Sequence, residues 1–85
     1  MTDVRELETR IARLFAERLE VEVPSPDTDL LATGRLDSVG FVELLVQLEK
    51  RFGLRVELDD VEVEHFRSLA AIAVFITERR AARSI

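Results

Sequence analysis

The segment LDSVGFVELLVQLEKRFG at residues 36–53 decides the fold, because it carries the clearest helical pattern of the chain. Its apolar side chains recur every three or four residues, which is the spacing of one face of an α-helix. Asp37 or Ser38 can cap the start of this helix, and Gly53 supplies the left-handed residue that commonly ends one. We therefore predict a helix that starts at this cap and ends near Phe52.

This helix has two apolar faces. The larger one is expected to pack in the core, and it consists of Phe41, Leu44, Leu45, Leu48 and Phe52. The second arc begins beside Ser38, and it holds Val39, Val42, Glu43, Val46 and Glu49. Its valines could be core periphery or ordinary surface residues. We favour the alternative, in which this arc, together with Val61, is a contact patch for partner proteins.

The flanking sequence predicts further helices. Apolar residues with helical spacing indicate a first helix from about Asp3 to Glu20. An acidic segment from Asp59 to Glu64 can form a short third helix, and Ser68 can cap a fourth that runs to about Arg80. Leu54 to Leu58 alternates like a strand, but it has no partner strand and is expected to be an extended connector. The fold class is thus all-α.

A long loop separates the first two helices. Pro24 and Pro26 end any helix before them, since proline lacks a backbone donor and restrains its predecessor. Leu30, Leu31 and Leu36 then suggest that this loop is pinned across the core. A loop of more than about 12 residues inside so small a chain is also typical of a functional segment.

The composition of the chain excludes several classes of function. The chain has 85 residues, 47% hydrophobic and 34% charged, so we expect a single domain spanning residues 1–85 and neither disorder nor a membrane span. The absence of cysteine and the presence of a single histidine argue against a metal site and against catalysis. A net charge of −5 disfavours nucleic acid and favours partners with basic surfaces. We expect a cytoplasmic monomer that is not an enzyme.

Ser38 has two interpretations. A serine after aspartate at a helix start is most often a cap. However, a hydroxyl in the first turn also lies where free N–H groups and the helix dipole favour a phosphate, so Ser38 is a candidate anchor for a phosphodiester. Asp37 could then cap the helix and help to hold a divalent cation during phosphoryl transfer.

These residues resemble a known family. The run Leu36-Asp37-Ser38-Val39 after a leucine-rich loop, followed by Val42-Glu43-Leu44-Leu45, resembles the attachment motif and second helix of acyl and peptidyl carrier proteins. The resemblance covers roughly Val4 to Arg79, and Val39 replaces the more common leucine. It implies a four-helix bundle of the acyl-carrier type, with three longer helices, one short third helix and a long first loop.

The resemblance also implies a function. Ser38 would receive a covalently attached 4′-phosphopantetheine from a phosphopantetheinyl transferase, with Asp37 as its acidic neighbour. The thiol of this arm would carry acyl or aminoacyl groups as thioesters from an activating ligase to downstream transferases or synthases. We therefore expect a free-standing carrier that performs no chemistry itself.

Two differences from the usual family pattern bear on which cargo the arm would carry. Glu43 and Glu49 are offset by Lys50 and Arg51, whereas fatty-acid carriers usually have a strongly acidic second helix. The glycine after the motif, Gly40, resembles aminoacyl carriers of the D-alanyl type. These features, with five bulky phenylalanines in the core, favour a short polar or aminoacyl cargo. The alternatives are a fatty-acid synthase carrier, or an unmodified helical adaptor that binds partners through its valines.

Two other features of the sequence have plainer explanations. His65 stands alone between Glu64 and Phe66, and we interpret it as a surface or packing residue because no nucleophile is placed beside it. The acidic residues between Glu57 and Glu64 lack the loop spacing of a calcium site. They are expected to form a solvated surface that faces partners.

Overall fold

The central helix forms where the sequence predicts it. In a computed structural model, which describes residues 4–56 and 62–83, α1 spans Val4–Leu14, α2 spans Ser38–Phe52 and α3 spans Leu69–Arg83. A π-helical turn follows α1, and a 3-10 turn precedes α3. No β-strand occurs among the described residues, so the predicted all-α class is confirmed there.

The predicted short third helix is not confirmed. The described part of this segment forms a 3-10 turn, Val63–Phe66, in which the His65 N–H donates to the Glu62 carbonyl at 3.0 Å. Glu62 precedes the turn in extended geometry and its side chain makes no capping hydrogen bond. Asp59 and Asp60, where this helix was expected to begin, lie outside the described residues. The three longer helices are therefore seen, whereas residues 4–56 and 62–83 contain no fourth α-helix.

The larger apolar face of α2 packs into the core, as predicted, with one correction. Leu44, Leu45, Leu48 and Phe52 are buried, whereas Phe41 is only half-buried. Side chains from α1, the first loop, the 3-10 turn and α3 complete a single hydrophobic core. Its fully buried members include Leu7, Ile11, Leu14, Phe15, Leu30, Phe66, Ile72 and Ile76.

The first helix ends differently from the prediction. Phe15–Leu19 form one π-helical turn, and Glu20 then adopts a left-handed conformation with φ of 56°. The Phe15 carbonyl accepts hydrogen bonds from the N–H groups of Glu20 and Val21. A π-turn closes hydrogen bonds five residues apart, one more than an α-helix. Within this turn Leu19 packs against the hydrophobic core, whereas Arg18 is exposed.

Backbone hydrogen bonds attach the first loop to the start of α3. The Leu30 N–H donates to the Arg67 carbonyl at 2.7 Å, and the Ala70 N–H donates to the Pro26 carbonyl at 3.1 Å. Leu30 and Leu36 are buried and Leu31 is half-buried, which confirms that the leucines pin this loop across the core. The loop is therefore part of the packed structure.

The Asp29 side chain links the first loop to Arg67, just before α3. One of its carboxylate oxygens caps a helical turn by accepting the Leu31 and Ala32 N–H groups, and the other lies 3.1 Å from the Arg67 guanidinium. Arg67 also pairs with Glu64 at 2.7 Å. The Ala32 hydrogen bond, and next the charge of Arg67, hold the pKa of Asp29 below its ordinary value of 3.8, against partial desolvation. The ionised form of Asp29 thus stabilises the loop.

We predict that Asp29→Asn lowers the melting temperature at neutral pH and that the difference disappears in acid. A carboxyl whose pKa is depressed in the folded state stabilises that state above its unfolded pKa, near 3.8, and loses this effect as the pH falls through the lower folded value. Thermal melts at several pH values measure the difference. Asp27→Asn is the control, because the Asp27 carboxylate makes no hydrogen bond with any described residue; a difference that persists in acid would contradict the prediction.

Truncation of a side chain should have a large effect on stability on one face of α2 and a small effect on the other. Leu48 is fully buried, so Leu48→Ala should lower the free energy of unfolding by about 2–5 kcal/mol. Val42 is 59% exposed, so Val42→Ala should change it by less than about 0.5 kcal/mol. Urea unfolding of both variants measures the difference. Equal destabilisation would mean that the core face is misassigned.

Candidate functional site

Ser38 is the first residue of α2 and is exposed. Of the two capping candidates, Asp37 is the residue that caps the helix. Its Oδ1 accepts the Gly40 N–H at 2.7 Å, and its carbonyl accepts the Phe41 N–H at 2.8 Å. With the capping role taken by Asp37, the Ser38 hydroxyl is available for another function.

The start of α2 suits an attached phosphate. Among the described residues, the N–H groups of Ser38 and Val39 donate no hydrogen bond, as expected for the first turn of a helix. These donors and the positive end of the helix dipole favour a negatively charged group at Ser38. A phosphodiester on the Ser38 oxygen therefore fits the residues that surround it.

Gly40 marks a close approach between the end of the first helix and the start of α2. A Cβ atom at this position would lie 3.2 Å from Asp37 Oδ1 and 3.6 Å from Leu19 Cδ2. A larger residue would thus press on the capping carboxylate, whereas Leu19 lies at an ordinary contact distance. The sequence signal for this role is a glycine inside a helix, where it costs about 1 kcal/mol relative to alanine.

An apolar groove of about 520 Å³ opens on one side of Ser38. Its lining residues come from the first loop, the start of α2 and the 3-10 turn, and they are Leu31, Leu36, Asp37, Ser38, Phe41, Val42, Val63 and Phe66. The rings of Phe41 and Phe66 meet edge to face, with centroids 5.1 Å apart. The half-buried Phe41 thus packs against the core and also forms part of the groove wall.

A polar groove of about 800 Å³ opens on the other side of the α2 start. It is bounded by the end of the first helix with the residues after it, by the turn before Leu36, and by the first two turns of α2. Its charged residues are Arg18, Glu22, Arg35, Asp37 and Glu43. The sequence pattern did not indicate this groove, because long-range packing brings its three segments together.

The predicted partner patch is only partly exposed. Val39 is 79% and Val42 is 59% exposed, whereas Val46 is half-buried. Val63, on the 3-10 turn, is 58% exposed and lies across the apolar groove from Val42, although it was not predicted. Val61 lies outside the described residues. An exposed apolar surface therefore borders Ser38, and it includes Val39, Val42 and Val63.

The two predicted acidic residues of this patch make hydrogen bonds within the chain. Glu43 accepts a hydrogen bond from Gln47 Nε2, and Arg51 Nε donates to Gln47 Oε1, so three residues form a polar ladder along α2. Gln47 is buried, which the pattern did not predict. Glu49 accepts the Val56 N–H at 3.1 Å and so holds the segment that follows α2.

The remaining candidates have structural surroundings. His65 is half-buried, and its ring lies against Phe75 with centroids 5.1 Å apart, in agreement with a packing role. Glu62 and Glu64 are exposed, whereas Glu57, Asp59 and Asp60 lie outside the described residues. None of the helices in the described part of the chain has the length and apolar character to cross a membrane.

Comparison with known proteins identifies the family. The family model described as a phosphopantetheine attachment site matches residues 9–76. The D-alanyl carrier protein of Abiotrophia defectiva is 35% identical over 78 residues, a span that covers 89% of this chain and 99% of that protein. The D-alanyl carrier protein of Streptococcus sanguinis is 41% identical over 54 residues, covering 64% and 68% of the two chains, and that of Bacillus velezensis is 37% identical over a similar span.

The family match runs through the start of α2, so the exposed serine, its capping aspartate and the free N–H groups lie inside the matched region. The chain therefore belongs to the phosphopantetheine-binding carrier proteins: it carries a covalently attached 4′-phosphopantetheine, performs no catalysis itself and resembles the D-alanyl carriers.

Proposed function

We propose that the protein is an aminoacyl carrier in which the Ser38 hydroxyl is the attachment point of 4′-phosphopantetheine. The observation that carries this proposal is the exposed position of Ser38 as the first residue of α2, next to a cap supplied by Asp37. The Ser38 N–H and the Val39 N–H would hydrogen-bond the phosphodiester. Because Asp37 already accepts the Gly40 N–H, its main role is to hold this turn in place.

Attachment is a simple group transfer. The Ser38 oxygen forms a bond to the pantetheine-linked phosphorus of coenzyme A, the pyrophosphate P–O bond breaks, and adenosine 3′,5′-bisphosphate leaves. The hydroxyl proton passes to a base of the transferase or to water. The partners are thus a phosphopantetheinyl transferase, an aminoacyl-activating ligase and a downstream transferase, which we place in the cytoplasm with a monomeric carrier.

The exposed valines beside Ser38 support docking of these enzymes. Val39, Val42 and Val63 are each more than half exposed, and they form apolar surface beside the serine. Isolated apolar residues are common on protein surfaces, but a contiguous group at a reactive hydroxyl is typical of an interaction site. The half-buried Val46 would contribute at the edge of this surface. Glu43 and Glu49 would also contribute, while they keep their hydrogen bonds to Gln47 Nε2 and to the Val56 N–H.

An aminoacyl cargo is supported by three observations. The relatives described above are D-alanyl carrier proteins. The charges of Glu43 and Glu49 on α2 are balanced by Lys50 and Arg51. Phe15 and Phe66 are fully buried and Phe52 and Phe75 nearly so, and these side chains fill the space between the helices. A long acyl chain would have to displace them.

The apolar groove favours one alternative, a carrier of fatty acyl groups. It begins at Ser38, and its wall between Phe41 and Phe66 is the point at which an acyl chain would enter the core. Phe41 is half-buried, so its ring could move without exposing a large part of the core.

We predict that Ser38 alone becomes modified. Incubation of the apo protein with coenzyme A and a broad-specificity phosphopantetheinyl transferase should increase its mass by one phosphopantetheine. The Ser38→Ala variant should gain no mass under the same conditions. Ser25→Ala, which removes another hydroxyl outside the α2 start, is the matched control and should be modified like the wild type. Intact-mass spectrometry measures each product. Modification of Ser38→Ala, or a wild-type chain that gains no mass, would refute the proposal and favour an unmodified adaptor.

A second prediction separates the two cargo classes. When the phosphopantetheine-bearing form is loaded with D-alanine or with an octanoyl group, amide chemical shifts should change mainly at Ser38 and Val39 in both cases. Both loaded forms are prepared from the same protein in the same buffer, so that their chemical shifts can be compared directly. Large shifts at Phe41, Phe66 and Ile72 with the octanoyl group alone would mean that the chain enters the core, and the fatty acyl alternative would be preferred.

A further inference from the structure

The apolar groove beside Ser38 has an exposed rim and a buried floor. Val42 and Val63 form the rim, and each is more than half exposed. Phe41 is half-buried in the wall, whereas Phe66 is fully buried and therefore lies at the floor. Apart from Ser38 and the aspartate before it, every side chain of the lining is apolar. The groove is thus an apolar passage that leads from Ser38 toward the core.

Phe41 and Phe66 together close this passage. Their rings meet edge to face, with the ring planes at 86°, which is a favourable arrangement for two aromatic side chains. Phe66 also contacts Phe75 of α3, with ring centroids 5.1 Å apart. The floor of the groove is therefore held by rings from α2 and α3, and the buried Phe75 occupies the core beside it.

Phe41 is the member of this aromatic group whose size can change without loss of the core. Phe66 and Phe75 belong to the buried core, so truncation of either side chain would leave a cavity there. Phe41 packs against the core but is only half-buried. Removal of its ring would uncover Phe66 from the side of the groove. The side chain at position 41 therefore sets the depth of the passage.

A group attached to Ser38 is tethered at the entrance of this groove, because Ser38 itself is part of the lining. A short flexible tether gives a group a millimolar effective concentration at the surfaces within its reach. Burial of each methylene of an apolar chain is favourable, so even a shallow apolar site would be occupied under these conditions. An apolar chain on the arm is thus excluded from the core only if the passage is closed sterically.

We propose that Phe41 is a specificity-determining residue, which restricts the cargo to groups short enough to remain above the floor of the apolar groove. The inference rests on the proposed function, and the occupant of the groove is the arm on Ser38 with its thioester-bound group. The Phe41 ring covers Phe66 and keeps a longer chain out of the core. A smaller side chain at position 41 opens the passage along Phe66 toward α3, and an octanoyl chain then enters.

Direct loading of the apo chain tests this proposal. A broad-specificity phosphopantetheinyl transferase is supplied with acetyl-coenzyme A or octanoyl-coenzyme A, and complete loading is verified by intact mass. The two loaded forms of the wild type should melt at the same temperature. For Phe41→Ala, the octanoyl form should melt at least about 4 °C above the acetyl form, as expected when a few methylenes are buried in a domain of this size. The amide chemical shifts of Phe66 and Phe75 should respond to the octanoyl group in this variant alone.

The matched control is Val23→Ala. Val23 is half-buried and packs against the core as Phe41 does, but it lies outside the apolar groove. Its acetyl and octanoyl forms should melt alike. A rise equal to that of Phe41→Ala would overturn the proposal, since any loosening of the core would then admit the chain. Phe41→Leu, which keeps a branched apolar side chain, should give a smaller rise and keeps the test valid if Phe41→Ala does not fold.

The remaining outcomes separate this inference from the proposed function. A wild-type octanoyl form that melts above its acetyl form and shifts the Phe66 amide would overturn the inference, because the chain would pass Phe41. Equal melting of the two loaded forms in both Phe41 variants would also overturn it. In each case the gain of mass leaves attachment at Ser38 intact. A wild-type chain that gains no mass from either thioester would refute the proposed function together with the inference.

Discussion

The site depends on the backbone hydrogen bonds between the first loop and the start of α3. The Leu30 N–H donates to the Arg67 carbonyl just before α3, and the Pro26 carbonyl accepts the Ala70 N–H in the first turn of α3. Asp29 adds an ion pair with Arg67 at the same place. Because the turn after Asp29 leads directly into α2, these bonds fix where α2 begins relative to the 3-10 turn. Without these bonds, Leu31 and Phe66, which both line the apolar groove, would not be held in fixed positions relative to each other.

Much of the fold could be predicted because it depends on local signals. The spacing of leucines in α2, the left-handed Gly53 and the Ser68 hydroxyl that accepts the Ala71 N–H are all decided within a few residues of one another. The π-turn could not be predicted, since residues 15–19 continue an ordinary helical pattern and only packing of Leu19 against α2 distinguishes the two forms. The short third helix predicted from Asp59 to Glu64 is not confirmed, because the described part of this segment forms a 3-10 turn.

The position of Ser38 could be predicted, but its surroundings could not. The motif placed the serine at a helix start, where the rules of capping apply to any chain. The two grooves are formed by segments more than ten residues apart in sequence, such as Phe41 with Phe66 and Arg18 with Arg35. Half-burial of Phe41 follows from its long-range contact with Phe66, which periodicity within one helix does not contain.

The close contact at Gly40 limits how this helix can be exchanged between carriers. Leu19 and Gly40 belong to different segments, yet the side chain of one occupies the space that the other leaves open. A Cβ atom at this position would lie 3.2 Å from Asp37 Oδ1, so a chimeric protein that receives α2 from a relative with a larger residue here would disturb the cap before it disturbs Leu19. The unit of recombination is therefore α2 together with its capping aspartate, since the two must match at the first turn of the helix.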